Sequence, residues 1–193
     1  MSLNSVFTVQ ELISKIRSEE DPSKAPAWQR AGPLGAPAVR PLLALWNDPS
    51  FEAVRKARRA LQAVVRHAGH PGAAKESAAV QRELIAALKP GDARVRRDIV
   101  WLLSELPGEG AVKALAALLS DPAVREDVRC ALTRIPGPKA TSALRSALTK
   151  APAEFQEALA ESLRARGETV AGYPSKKLVP CARTTVKAPQ ANL

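Results

Sequence analysis

Apolar residues recur along most of the chain at intervals of three and four, the spacing that lines one face of an α-helix. Val9, Leu12, Ile13 and Ile16 open the pattern. Val39, Leu42, Leu43 and Trp46 repeat it, as do Val80, Leu84 and Leu88, then Val112, Leu115 and Leu119, then Leu144 and Leu148. Second stripes lie between them: Val95, Ile99, Leu102 and Leu106 form one, and Val124, Val128, Ala131, Leu132 and Ile135 another. The pattern predicts five amphipathic helix pairs, near 8–35, 36–70, 73–107, 109–136 and 138–167. β-branched and aromatic runs are few, so no sheet is predicted.

The punctuation repeats with the helices. Asp21-Pro22, Asp48-Pro49, Asp92-Ala93 and Asp121-Pro122 precede second helices, at spacings of 27, 44 and 29 residues. Asp at a helix start accepts a free backbone N–H and suits the positive end of the helix dipole. Pro in the first turn loses no hydrogen bond. Val-Arg then recurs, as Val54-Arg55, Val95-Arg96 and Val124-Arg125. Stops fall at Gly32-Pro33, Gly69, Pro107-Gly108, Pro136-Gly137 and Gly167. The stretch DPAVREDVRCALTRIPG at 121–137 is thus an imperfect copy of DARVRRDIVWLLSELPG at 92–108. The fifth pair departs from the pattern, as terminal repeats do when one face must meet water. One pair cannot bury its apolar stripe alone, whereas stacked copies can.

The units LLSDPAVREDVRCALTRIPG and LWNDPSFEAVRKARRAL resemble HEAT repeats, of the short bacterial kind also found in phycobilisome-lyase-like proteins. The resemblance covers residues 8–167 and rests on the Asp-Pro, the Val-Arg and the Gly stops together. Through AWQRAGPLGAPAVRPL and SLRARGETVAGYPSKKLVP the chain also resembles small bacterial HEAT-repeat proteins without an assigned activity. The resemblance implies an all-α fold, an α-solenoid of about five antiparallel helix pairs in one domain, 1–167. It also implies that Arg55, Arg96 and Arg125 pair with an Asp of an adjacent repeat and hold the stack. Residues 168–193 lack helical periodicity and read as an extended basic tail, draped on the last repeat at Tyr173 and Leu178.

Charge adds a second theme. The formal net charge is +10, with residues 31–107 contributing +5 and residues 168–193 contributing +3. Such an excess suits an acidic partner or nucleic acid. Basic residues outside the repeated Val-Arg stand out: Lys56, Arg58, Arg59 and Arg66 in the second pair, and Arg94 and Arg97 in the third, with Lys56, Arg59, Arg66, Arg94 and Arg97 the candidates for contact. Stacking, which every repeat shares, does not explain them.

Catalytic and metal chemistry find little footing. His67 and His70 lack further ligands near them, and Cys130 and Cys181 form neither a disulfide framework nor a zinc spacing. No nucleophile–base arrangement or phosphate-cradling Gly loop is readable. Asp98 and Glu105 lie beside arginines on one helix and read as surface salt-bridge partners. Trp28, Trp46 and Trp101 fit core stripes. Trp101, three residues after Asp98, invites comparison with HEAT-like DNA glycosylases, whose motif is not matched residue by residue. No apolar run approaches a membrane span, and the start lacks a secretory pattern, so a cytoplasmic protein is expected.

The sequence therefore predicts a non-enzymatic binding scaffold with no cofactor and no small-molecule substrate. The second helices are expected to line the concave face and to hold a protein with an acidic surface. A nucleic acid held through its phosphate backbone is the alternative, and a glycosylase the less favoured one.

Overall fold

The computed structural model describes residues 7–18, 25–89, 91–173 and 175, and among these it is all-helical, with no strand. The α-helices are α1 (Val9–Arg17), α2 (Ala36–Ala44), α3 (Phe51–Ala68), α4 (Ala74–Ala87), α5 (Ala93–Glu105), α6 (Val112–Ala116), α7 (Arg125–Arg134), α8 (Pro138–Leu148) and α9 (Ala153–Ala165). First helices pack on first helices, α2 on α4 and α6 on α8, while α3, α5, α7 and α9 stack in succession. The result is a row of stacked helix pairs, a helical solenoid. The first pair is irregular: after α1 the chain turns through 3-10 segments at Ala27–Arg30 and Gly32–Leu34 that pack on α3.

Local chemistry explains the elements. Thr8 and Glu11 form a reciprocal capping box that starts α1, leaving Leu12 and Ile16 to face the core. α3 buries Ala53, Ala57, Ala60, Leu61, Val64, Val65 and Ala68, a stripe small enough for neighbours to approach closely. The core is aliphatic, with Phe155 its one fully buried large aromatic side chain among the described residues. Burying each Leu or Val contributes about 1.5–3 kcal/mol relative to leaving it exposed.

The recurring aspartates share one local role. Oδ1 of Asp48, Asp92 and Asp121 accepts the backbone N–H two residues on, from Ser50, Arg94 and Ala123, at 3.0, 2.8 and 2.9 Å. Only Asp92 is itself the residue that caps its helix; Ser50 caps α3, and a turn separates Asp121 from α7. Asp21 lies outside the described residues.

Side chains then tie repeat to repeat. Arg96, 9% exposed, reaches Asp121 at 2.7 Å, and Arg125 reaches Glu154 at 3.5 Å, Glu standing where the last pair lacks the Asp. Arg55 differs: it is exposed and pairs with Glu52 on its own helix. The buried cation of α3 is Lys56, also 9% exposed, whose Nζ donates to the Ser18 carbonyl at 3.2 Å. One residue turns the helix by about 100°, enough to leave Arg55 exposed and Lys56 enclosed.

Arg166 closes the end of the row. Its guanidinium donates to the carbonyls of Leu132, Thr133, Ile135 and Gly137 and to Thr141 Oγ1, all between 2.6 and 3.0 Å. These carbonyls belong to the C-terminal end of α7, where a cation also meets the negative end of the dipole. Beyond Gly167, Val170 and Tyr173 pack against the core, and the Tyr173 carbonyl accepts from Arg164. Leu178 lies outside the described residues.

Candidate protein-binding surface

α5 carries Arg94, Arg97, Asp98, Trp101 and Glu105 at spacings of three and four, on one face. Ile99, Val100, Leu102 and Leu103 are buried away from this face, with Val95 half-buried. Trp101 therefore stays 44% exposed, against its reading as core, while Trp46 is buried. Arg58 of α3 bridges them. Its Nη2 meets Asp98 Oδ2 at 2.9 Å, and its guanidinium lies over the Trp46 ring at 5.1 Å. Trp46, Arg58, Gln62, Asp98, Trp101 and Leu102 enclose a cavity of about 60 Å³. Small-molecule pockets run to about 300–1,000 Å³, so this one admits a side-chain tip rather than a nucleobase. Burial pushes the Asp98 carboxyl above the usual carboxylate range, against the pull of Arg58.

The cations picked out from sequence divide. Lys56 is buried in the interface with α1's end and does not join the surface; this corrects its assignment as a contact residue. Arg59 is exposed and lies over the Trp28 ring at 5.4 Å. Arg66 is exposed, with no ion-pair partner among the described residues. Arg94 is held by Asp92 at 3.4 Å. Arg97 donates to the Ala123 carbonyl at 3.0 and 2.8 Å and meets Asp127 at 3.4 Å, so it also braces the next repeat. The structure thus brings Arg94 and Arg97 to the Trp101 face and sets Arg59 and Arg66 on the adjoining helix. Trp101 was missed, and Arg58, picked out with the other cations, turns inward to Asp98 and Trp46. The signal for Trp101 was present: it sits seven residues after Arg94, on the charged stripe rather than the apolar one.

Among the described residues no group of three His, Cys, Asp or Glu side chains is placed to hold a metal. His70 Nδ1 lies 2.6 Å from the His67 carbonyl, and Cys130 is exposed as a free thiol. No described helix is long and apolar enough to cross a membrane. A second, larger depression of about 1040 Å³ runs between α6 and α8.

The family model of HEAT repeats fits residues 80–164, which take in most of α4 and all of α5 to α8. Over that span the chain is similar to HEAT repeats. Among solved structures, an engineered protein determined by crystallography for the Northeast Structural Genomics Consortium is similar, with 22% identity and a TM-score of 0.42. The likeness covers 81% of this chain and 78% of that one. No curated protein matches the chain. HEAT repeats serve in general as protein-interaction scaffolds, and α5 and α7 fall within the matched span.

Proposed function

We propose that the chain is a non-catalytic scaffold that binds an acidic protein through the α3–α5 face. The observation that carries this reading is the exposed Trp101, set one and two turns from Arg97 and Arg94 on the same stripe. Trp and Arg supply most of the binding energy in protein interfaces, because each buries a large flat surface and keeps a polar handle. Here the indole offers that surface, and Arg59 and Arg66 supply positive charge on the neighbouring helix.

Charge bookkeeping favours a protein over a phosphate backbone. Arg58, Arg94 and Arg97 already face the carboxylates of Asp98, Asp92 and Asp127. A phosphate would have to compete with each of these, whereas a protein surface can cover the intact pairs and bury the indole. The same geometry keeps the arginines pre-oriented, which lowers the ordering cost of binding.

The test is affinity capture with the full chain, with and without nuclease, comparing the parent with Trp101→Ala. One protein should be retained after nuclease treatment and lost with Trp101→Ala, while thermal melting stays that of the parent. Capture that nuclease abolishes, or that survives Trp101→Ala undiminished, overturns the reading.

A further inference from the structure

The depression between α6 and α8 has a volume of about 1040 Å³, and it lies on first helices, apart from the Trp101 face. Its floor is apolar, with Val112, Ala116, Leu119, Ala143 and Ala147 among the lining residues. Small side chains on α8 leave the space between the two helices unfilled. Its rim is basic. Lys113, Lys139 and Lys150 line it and are exposed, and none has an ion-pair partner among the described residues. The one acidic lining residue, Glu109, is occupied: its carboxylate accepts the Lys139 backbone N–H at the start of α8. Arg125, at the far end, is held by Glu154 and lies over the Phe155 ring at 4.8 Å.

We propose that this groove docks an acidic amphipathic helix of a partner protein. Two packed helices present ridges and a groove into which a third helix fits. Lys139, in the first turn of α8, and Lys150, two residues past its end, stand eleven residues apart at the rim, a span of about 16 Å at helical rise. The occupant that satisfies both is a helix with carboxylates three turns apart and an apolar stripe between them. The chain's own residues 176–193 do not fit, since they carry Lys176, Lys177, Arg183 and Lys187 and no acid. A phosphate backbone would satisfy the lysines but leave the apolar floor in contact with water or charge.

The experiment uses the full chain and two fluorescent synthetic peptides of about 14 residues, long enough to span the groove as a helix. Both carry Leu at helical spacing; one has Glu at two positions eleven apart, the other Lys. Anisotropy should show saturable binding of the Glu peptide and about tenfold or greater weakening for the Lys peptide. The double variant Lys139→Glu/Lys150→Glu should invert that preference, and Trp101→Ala should change neither affinity, which separates this site from the α3–α5 face. Should the double variant melt early, Ser146→Trp, an exposed position in the groove, should block the Glu peptide instead. Absence of saturable binding, equal affinity for the two peptides, or indifference to these substitutions overturns the proposal. So does self-association of the parent that the double variant abolishes, which would give the groove to a second copy. Tighter binding of a double-stranded oligonucleotide, lost in the same variant, would give it to nucleic acid.

Discussion

Arg96 and Asp121 meet at 2.7 Å across two successive repeats, with the Arg96 side chain almost wholly enclosed. The backbone N–H of Ala123 and then the Arg96 guanidinium hold the Asp121 carboxyl below the usual range. A depressed carboxyl contributes stability above its unfolded pKa, and that contribution disappears as pH falls through the folded value. Asp121→Asn should therefore lower the melting temperature at neutral pH. The difference from the parent should shrink once the pH drops below about 4, near the unfolded value. A difference that is constant across an acid titration would contradict this account.

Lys56 and Arg66 lie on one helix and should behave oppositely. Lys56→Glu puts a carboxylate where the ammonium donates to the Ser18 carbonyl, in an enclosed site. It should lower melting by an amount equivalent to roughly 1–3 kcal/mol or more. Arg66→Glu changes an exposed position and should stay within about 0.5 kcal/mol. Differential scanning calorimetry on the two single variants decides between this division and the one read from sequence.

Arg166→Ala removes the donor shared by the four carbonyls at the end of α7. The carbonyls left without a partner should cost on the order of 1–3 kcal/mol, with each kcal/mol lowering the melting temperature of a domain this size by about 2–4 °C. Arg166→Lys should recover only part, because an ammonium cannot reproduce the planar fork. Full recovery with Lys would mean that charge near the helix end, not the fork, is what matters.

Gly137 adopts φ 103° and ψ 165° just before α8, a region that side chains avoid. A Cβ there would also sit 2.6 Å from Glu109 Oε1, the oxygen that accepts the Lys139 N–H. Gly137→Ala should cost about 1–3 kcal/mol from the backbone alone. Gly91→Ala, where an added Cβ meets only the Lys89 carbonyl at 4.0 Å, should not destabilise. Equal melting temperatures for the two variants would rule out the strain.

Asp98 runs the other way from Asp121. Burial raises its pKa, outweighing Arg58. A raised carboxyl favours the folded state below the unfolded pKa, and that advantage is lost as pH rises through the folded value. The melting temperature of the parent relative to Asp98→Asn should thus fall as pH climbs from about 4, the unfolded value, toward neutrality. A relative melting temperature that rises over this range would show that the Arg58 pair dominates.

What the sequence determined by itself is whatever depends on neighbours along the chain. Helical periodicity, the aspartates at 48, 92 and 121 and the glycine stops are local, so the paired helices and their repetition were legible without coordinates. The Arg96–Asp121 tie was expected from the resemblance to HEAT repeats, while the repeated position alone showed only that Arg96 and Arg125 serve every repeat. The register of α3 was not. Arg55 and Lys56 are adjacent in sequence, and only the arrival of α1's end and the 3-10 turns beside α3 decides which is enclosed. Trp101 is similar: periodicity places it beside Arg94 and Arg97, but its exposure depends on no other element covering that face. Arg166 reaches carbonyls 29 to 34 residues back, a contact with no local signature. The small residues of α8 read as an ordinary Ala-rich helix until α6 takes its place across an unfilled gap. Periodicity says which residues share a side of a helix; only tertiary packing says what, if anything, comes to cover that side.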